Sequence, residues 1–198
     1  MLDKKNKVLF IHIPRTGGTS IERLIGLPFI PDNLCGVINN KALQHMTAKE
    51  IRNRIGDDEF NYYWKFSVVR HPYTRMVSEF HWRPKVQVRH FPKLKFESNF
   101  IQFLTIVKSI VENNKYSDSV FHDHFIPQYK YLTIDDDDKL VTDYVIRFEN
   151  LVSEFEVVKE KLGSDKSLIK CQSNDYSDVD SRSILTPQEK KLIQEIYA

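Results

Sequence analysis

The run Val8-Leu9-Phe10-Ile11-His12-Ile13 constrains this chain most, because it passes directly into Pro14-Arg15-Thr16-Gly17-Gly18-Thr19-Ser20. A short apolar run of this kind makes a buried strand. The segment Thr19-Ser20-Ile21-Glu22 that follows opens a helix. A strand feeding a helix through a Gly-containing turn aims several backbone N–H groups at one spot, with the positive end of the helix dipole behind them. Glycine lets an anion reach that backbone. Arg15 adds a positive charge, and Thr16, Thr19 and Ser20 add hydroxyls. The combination describes an anion cradle, most simply for a phosphate. An ordinary strand–turn–helix corner also uses Gly and Thr, so this stretch alone leaves both readings open. The nucleotide-triphosphate pattern G-x-x-x-x-G-K-[ST] is absent, and so is the dinucleotide pattern G-x-G-x-x-G.

A second landmark decides between them. Tyr62 to Val69 is rich in aromatic and β-branched residues and predicts another strand. It runs into Arg70-His71-Pro72-Tyr73-Thr74-Arg75-Met76-Val77-Ser78-Glu79-Phe80. Pro72 suits the first turn of a helix, where its missing N–H costs nothing. Arg70 then stands at the strand exit and Ser78 about two turns along the helix. A guanidinium and a hydroxyl so placed can hold a second phosphate.

With these two stretches in hand, PRTGGTS after one strand and RHPYTRMVSEF after another, the chain resembles the sulfotransferases that use 3′-phosphoadenosine 5′-phosphosulfate (PAPS), and within them the carbohydrate branch. The resemblance implies that the first motif binds the 5′-phosphosulfate. It implies that the second binds the 3′-phosphate through an Arg and a Ser eight residues apart, as Arg70 and Ser78 are here. Weaker likeness continues through HFIPQYKYL and VIRFENL. Arg15 stands where the family usually carries Lys, which keeps the charge but replaces a compact ammonium by a planar fork. His71 replaces an acidic or amide residue.

At 198 residues the chain fits one domain, and the expectation is a single sulfotransferase-like domain over 1–198. Its 41% hydrophobic and 28% charged residues are an ordinary globular balance, and a formal charge of +2 does not describe a general nucleic-acid binder. Cys35 and Cys171 are too few for a disulfide framework and lack metal-ligand spacing. No N-terminal stretch has the length and apolarity of a signal peptide or anchor, which sets cytoplasmic as the expected location.

Along the chain, Thr47-Ala48-Lys49-Glu50 is a capping box opening a helix to about Ile55, and residues 56 to 60 turn into the second strand. The helix from Pro72 is expected to end near Arg83-Pro84, with a basic loop from Lys85 to Lys95. Ser98 is expected to cap a long helix, Tyr131 to Ile134 to be a short strand, Asp135 to Asp138 a solvated turn, and Tyr144 to Phe148 a third strand. Asn150 is expected to cap a helix ending at Gly163, and Ser173 to Ser183 to be a polar connection. Thr186-Pro187-Gln188-Glu189 opens a terminal helix. Strands alternating with helices predict an α/β fold, a three-layer P-loop-like domain with a mainly parallel central sheet flanked by helices. Ligands of such sheets bind at the carboxyl ends of the strands, where both motifs fall.

The resemblance implies a cofactor-binding set of Arg15, Thr16, Gly17, Gly18, Thr19, Ser20, Arg70 and Ser78, with PAPS as the cofactor, leaving as 3′,5′-adenosine bisphosphate (PAP). Sulfuryl transfer to a hydroxyl needs a base near neutral pKa. Among seven histidines His45 is the first choice, since it lies between the motifs where related enzymes often place a catalytic His. A helix-flanking surface histidine is the competing reading. Arg15 is assigned the leaving-group role. His12 reads as structural, His81 as either. His122, Asp123 and His124 lack the remaining ligands of a metal site. The sulfuryl group carries less charge than a phosphoryl, so no metal is expected. The acceptor is expected to be a hydroxyl, of a sugar or glycan. Two other functions compete: a catalytically degenerate adenosine-nucleotide-binding module, suggested by Arg15, and a nucleotide-dependent phosphotransferase.

Overall fold

The computed structural model describes residues 1–38, 41–90, 97–118, 121–135, 139–165, 168 and 181–197. In chain order, β1 is Leu2–Asp3, β2 Val8–Ile11, α1 Gly18–Ile25, β3 Val37–Ile38, β4 Lys41–Ala42, α2 Ala48–Ile55, α3 Asp57–Tyr62 and β5 Trp64–Val69. Then come α4 Pro72–His90, α5 Phe100–Glu112, α6 Gln128–Leu132, β6 Tyr144–Arg147, α7 Leu151–Glu154, α8 Glu156–Leu162, α9 Ser181–Ile184 and α10 Pro187–Ile196. Contacts divide the chain into two units: Met1–Val69 with Ile126–Cys171, and Arg70–Phe125 with Gln172–Ala198.

The first unit holds a four-stranded sheet in the order β1-β2-β5-β6. β2, β5 and β6 are parallel, and β1 runs antiparallel to β2. The sheet is thus mostly parallel, as the alternation of strands and helices predicts. Side chains of β2 alternate between two apolar clusters, as the period of two requires. Leu9 and Ile11 pack with Ala48 and Ile51 of α2, Phe60 of α3, and Tyr131 and Leu132 of α6. Val8 and Phe10 pack with Ile21 and Leu24 of α1, and with Val158 and Leu162 of α8. Leu9, Phe10 and Ile11 are fully buried, which is why the run carries no polar alternation. The Ser67 hydroxyl donates to the Ile11 carbonyl over 2.7 Å, tying β5 to the end of β2.

The second unit is helical. Met76 and Val77 of α4, Phe103, Leu104, Val107 and Ile110 of α5, and Ile193 and Ile196 of α10 share one apolar cluster with Phe125. A buried polar set lies beside it. The Glu79 carboxylate accepts from Arg83 Nε and pairs with His124 Nδ1, both at 2.9 Å. Arg75 Nη2 donates to the His124 carbonyl over 2.6 Å.

Both capping boxes form, at Thr47 and Thr186, and Gly163 ends α8 with φ +55°. Five boundaries differ from expectation. Helix α4 continues through Pro84 to His90 instead of ending there, because Glu79 and Arg83 brace that turn and Arg83 lies over the Phe125 ring at 4.6 Å. Asn99, not Ser98, caps α5, accepting from the Gln102 N–H over 3.0 Å. Residues 57–62 form α3, so β5 starts at Trp64. The expected strand at 131–134 is instead the end of α6: a short apolar run does not separate helix from strand, and burial of Tyr131 and Leu132 against the sheet decides. The helix after Asn150 is divided into α7 and α8. Asn150 makes no cap and donates instead to Glu154 Oε1. Cys171, the basic loop at 91–95, Asp136 to Asp138 and 173–180 of the polar stretch lie outside the described residues.

Candidate functional site

β2 and β5 are parallel neighbours with Ile11 opposite Ser67, so the segments beginning at His12 and Arg70 both leave the sheet at its carboxyl edge. The first of these is the loop 12–17. Arg15 is half-buried and holds φ +69°, a left-handed backbone that costs a non-glycine residue about 1 kcal/mol. Gly17 has φ +86° and is the residue from which α1 departs. No side chain caps α1, and its first turn carries no acidic residue. The Gly18 and Thr19 amides at this helix end thus receive no side-chain cap and are left for a ligand, with the dipole behind them.

The side chains of the loop differ in what they offer. The Thr16 hydroxyl is fully buried and donates to the Ile13 carbonyl over 2.7 Å, which commits its proton to holding the turn. Thr16 therefore offers a ligand its backbone rather than its hydroxyl. Thr19 is half-buried and its hydroxyl has no hydrogen-bond partner among the described residues. Ser20 is buried, and its N–H donates to the Gly17 carbonyl over 3.0 Å.

The glycines have reasons beyond anion access. A Cβ on Gly17 would meet the Phe148 ring at 3.0 Å. One on Gly18 would stand 2.0 Å from His12 Nε2. His12 fills the space over Gly18, is 5% exposed, stacks on Phe10 with ring centres 5.5 Å apart, and pairs through Nδ1 with Glu22 Oε1 at 2.8 Å. Gly18 and Glu22 are one helical turn apart on one face of α1, which lets one ring meet both. Burial lowers the His12 pKa from the usual 6.5 to about 4, so the ring is neutral at pH 7. Burial, the largest single influence, raises the pKa of Glu22, but the hydrogen bond from His12 and the Coulombic attraction of neighbouring groups together outweigh it, and the net shift is downward. A neutral ring beside an ionised carboxylate fixes the tautomer with the proton on Nδ1.

His45 closes a 3-10 turn, Leu43–His45, directly before the Thr47 cap. It is half-buried, and its ring meets that of His12 edge to face, with centres 5.0 Å apart. The structure therefore brings His45, 30 positions beyond Arg15, to the ring that covers Gly18. The second motif lies in the other unit. Arg70 is half-buried and donates through Nε to Thr74 Oγ1 over 3.1 Å. Ser78 is buried on α4. His71 accepts the Tyr73 N–H at Nδ1 over 3.2 Å, a local role in starting the helix. A polar cavity of about 470 Å³ lies at the opposite, amino-terminal edge of β5 and β6, lined by residues including Lys65, Thr142 and Asp143.

The pairing of His12 with Glu22 escapes sequence reasoning, since no periodicity or spacing rule links two residues ten positions apart across a loop. The usable signal is the Gly18–Glu22 spacing: a glycine and an acid one turn apart leave a gap and a partner on the same helix face.

No helix of the described residues is long and apolar enough to cross a membrane. No solved structure matches the chain. Carbohydrate sulfotransferase 10 of Gallus gallus is 23% identical over 157 residues, covering 66% of this chain and 42% of that protein. The chain thus spans less than half the length of this relative. The profile of the sulfotransferase family matches residues 1–197, a range that holds the strand, the glycine loop and the Arg70–Ser78 segment alike, and on that match the chain belongs to the sulfotransferase family.

Proposed function

We propose that the chain is a PAPS-dependent sulfotransferase acting on a hydroxyl of a sugar or glycan, and that residues 1–198 work as one three-layer P-loop-like domain. The observation that carries this reading is the uncapped amino end of α1, entered through Arg15 and Gly17 from the carboxyl end of a parallel strand. A phosphate fits that place because backbone donors, a helix dipole and a guanidinium converge in sequence there, with no acidic residue in the first helical turn. The carbohydrate acceptor is suggested by the named relative.

Arg15, the backbone of Thr16 to Gly18, and Thr19 and Ser20 would hold the 5′-phosphosulfate, and Arg70 and Ser78 the 3′-phosphate. When bound, PAPS supplies an activated sulfuryl group. Arg15 and the amides of Gly17 to Thr19 would stabilise the charge that grows on the 5′-phosphate oxygen. His45 would take the proton of the acceptor hydroxyl as that oxygen attacks sulfur. A metal has no assigned role, and retention of activity in a chelator is the expected result. A cytoplasmic location is part of the same proposal.

The test is incubation with ³⁵S-labelled PAPS and a panel of 4-nitrophenyl glycosides, alongside calorimetry with PAP. Transfer of label that is lost in His45→Ala is expected. PAP binding with no acceptor ever labelled, and turnover restored by Arg15→Lys, would instead favour the degenerate nucleotide-binding module. Stabilisation by ATP and not by PAP would favour the phosphotransferase.

A further inference from the structure

We propose that His12 is a positioning residue for His45, held in place by Glu22, so that one buried ring ties the acceptor base to the first turn of the donor loop. This rests on the reading of His45 as the base.

Four contacts converge on the His12 ring. Glu22 Oε1 takes its Nδ1 proton at 2.8 Å, with both side chains largely buried, at 6% and 13% exposure. The Nε2 edge lies over Gly18, close enough that no Cβ fits there. The His45 ring abuts it edge to face at 5.0 Å. Phe10 supports the ring from the strand side. A ring held by Glu22, Gly18 and Phe10 has one orientation, and its edge-to-face contact favours one relative orientation of the His45 ring. The orientation of His45 matters to the rate. It sits in a 3-10 turn, and a base displaced by about 1 Å from its line of attack loses on the order of 100-fold in rate.

The arrangement follows the logic in which a base is oriented by a second group and that group by a carboxylate. Here the intermediate group is a ring that stays neutral, so no proton passes along the set. His12 itself makes a poor base for the acceptor, because Nδ1 is committed to Glu22 and burial keeps the ring's affinity for a proton low. Its contribution is orientation.

The test uses Glu22→Ala, Glu22→Gln and His12→Phe in the full chain. The readouts are turnover of 4-nitrophenyl glycosides with labelled PAPS, calorimetric affinity for PAP, and the ring resonances of His45 by NMR. Glu22→Ala is expected to lower kcat at least tenfold, leave PAP affinity within threefold, and shift or broaden the His45 resonances. Glu22→Gln, which keeps an acceptor for Nδ1, is expected to restore most of that kcat. His12→Phe keeps a ring but not the Glu22 bond and is expected to resemble Glu22→Ala; if it does not fold, the Glu22 pair still carries the test. Glu22→Ala with kcat within twofold of the parent, or a fall in PAP affinity that parallels kcat, overturns the proposal. Turnover that survives His45→Ala removes the underlying reading instead. An unmoved His45 spectrum in Glu22→Ala removes the coupling whichever residue is the base.

Discussion

His12 donates its Nδ1 proton to Glu22 over 2.8 Å, joining the end of β2 to the second turn of α1 across the glycine loop. The bond spans the two elements that define the loop, so the loop is clamped on both sides before any ligand arrives. Burial, against the pull of Glu22, keeps the ring that this bond fixes neutral inside the fold, and the stability of the protein depends on pH as a result.

The folded protein resists protonating His12 until about pH 4, whereas the unfolded chain takes up that proton near 6.5. Stability from the neutral ring is complete above pH 6.5 and is lost as pH falls from 6.5 toward 4, by as much as roughly 3 kcal/mol. Glu22, whose pKa is lowered in the folded state, acts with the same sign: its share is lost as pH falls below the ordinary carboxylate range. Thermal melts between pH 7.5 and 4.5 are expected to show a falling Tm, and His12→Phe a flatter profile over 6.5 to 5.

Gly18→Ala forces a methyl to within 2.0 Å of His12 Nε2, and the ring is packed against Phe10 and Glu22, so it has nowhere to retreat. Overpacking of this kind costs about 1–3 kcal/mol, and the upper end is expected here. Gly17→Ala pays for φ +86° and a 3.0 Å contact with Phe148, about 1–2 kcal/mol. Urea midpoints of both variants measure the difference.

In the second unit Glu79 is fully buried between Arg83 and His124. Glu79→Ala strands a buried guanidinium, and a loss of about 3–5 kcal/mol is expected. Glu79→Gln, which keeps the shape and an acceptor, is expected to lose less. Denaturant unfolding of the two variants separates charge from packing.

Arg15→Ala is expected to weaken PAP and PAPS binding about tenfold or more, the scale of one charge-assisted contact. Calorimetry reads this directly. Unchanged affinity would remove Arg15 from the phosphate site.

Much of the local structure is legible along the chain. The β2 run, the β5 core, both Thr-x-x-Glu capping boxes and Gly163 depend on neighbours a few residues away, and a sequence displays those neighbours. Helix α4 past Pro84 and helix α6 in place of a strand were not legible. In each case a partner distant in sequence overrides the local preference: Phe125 beneath Arg83, the sheet beneath Tyr131 and Leu132.

That a strand enters a glycine turn and a helix, and that a second strand leads to Arg70 and Ser78, can be read directly along the chain. Spacing and backbone preference act over a few residues and suffice for that. What the glycines are for and where His45 stands emerge only once the chain is folded. Gly18 makes room for a ring from β2's end, Glu22 holds that ring, and His45 arrives against it from a turn more than twenty residues farther along. Close packing of side chains from three separate elements sets that arrangement, and no periodicity or spacing rule encodes it.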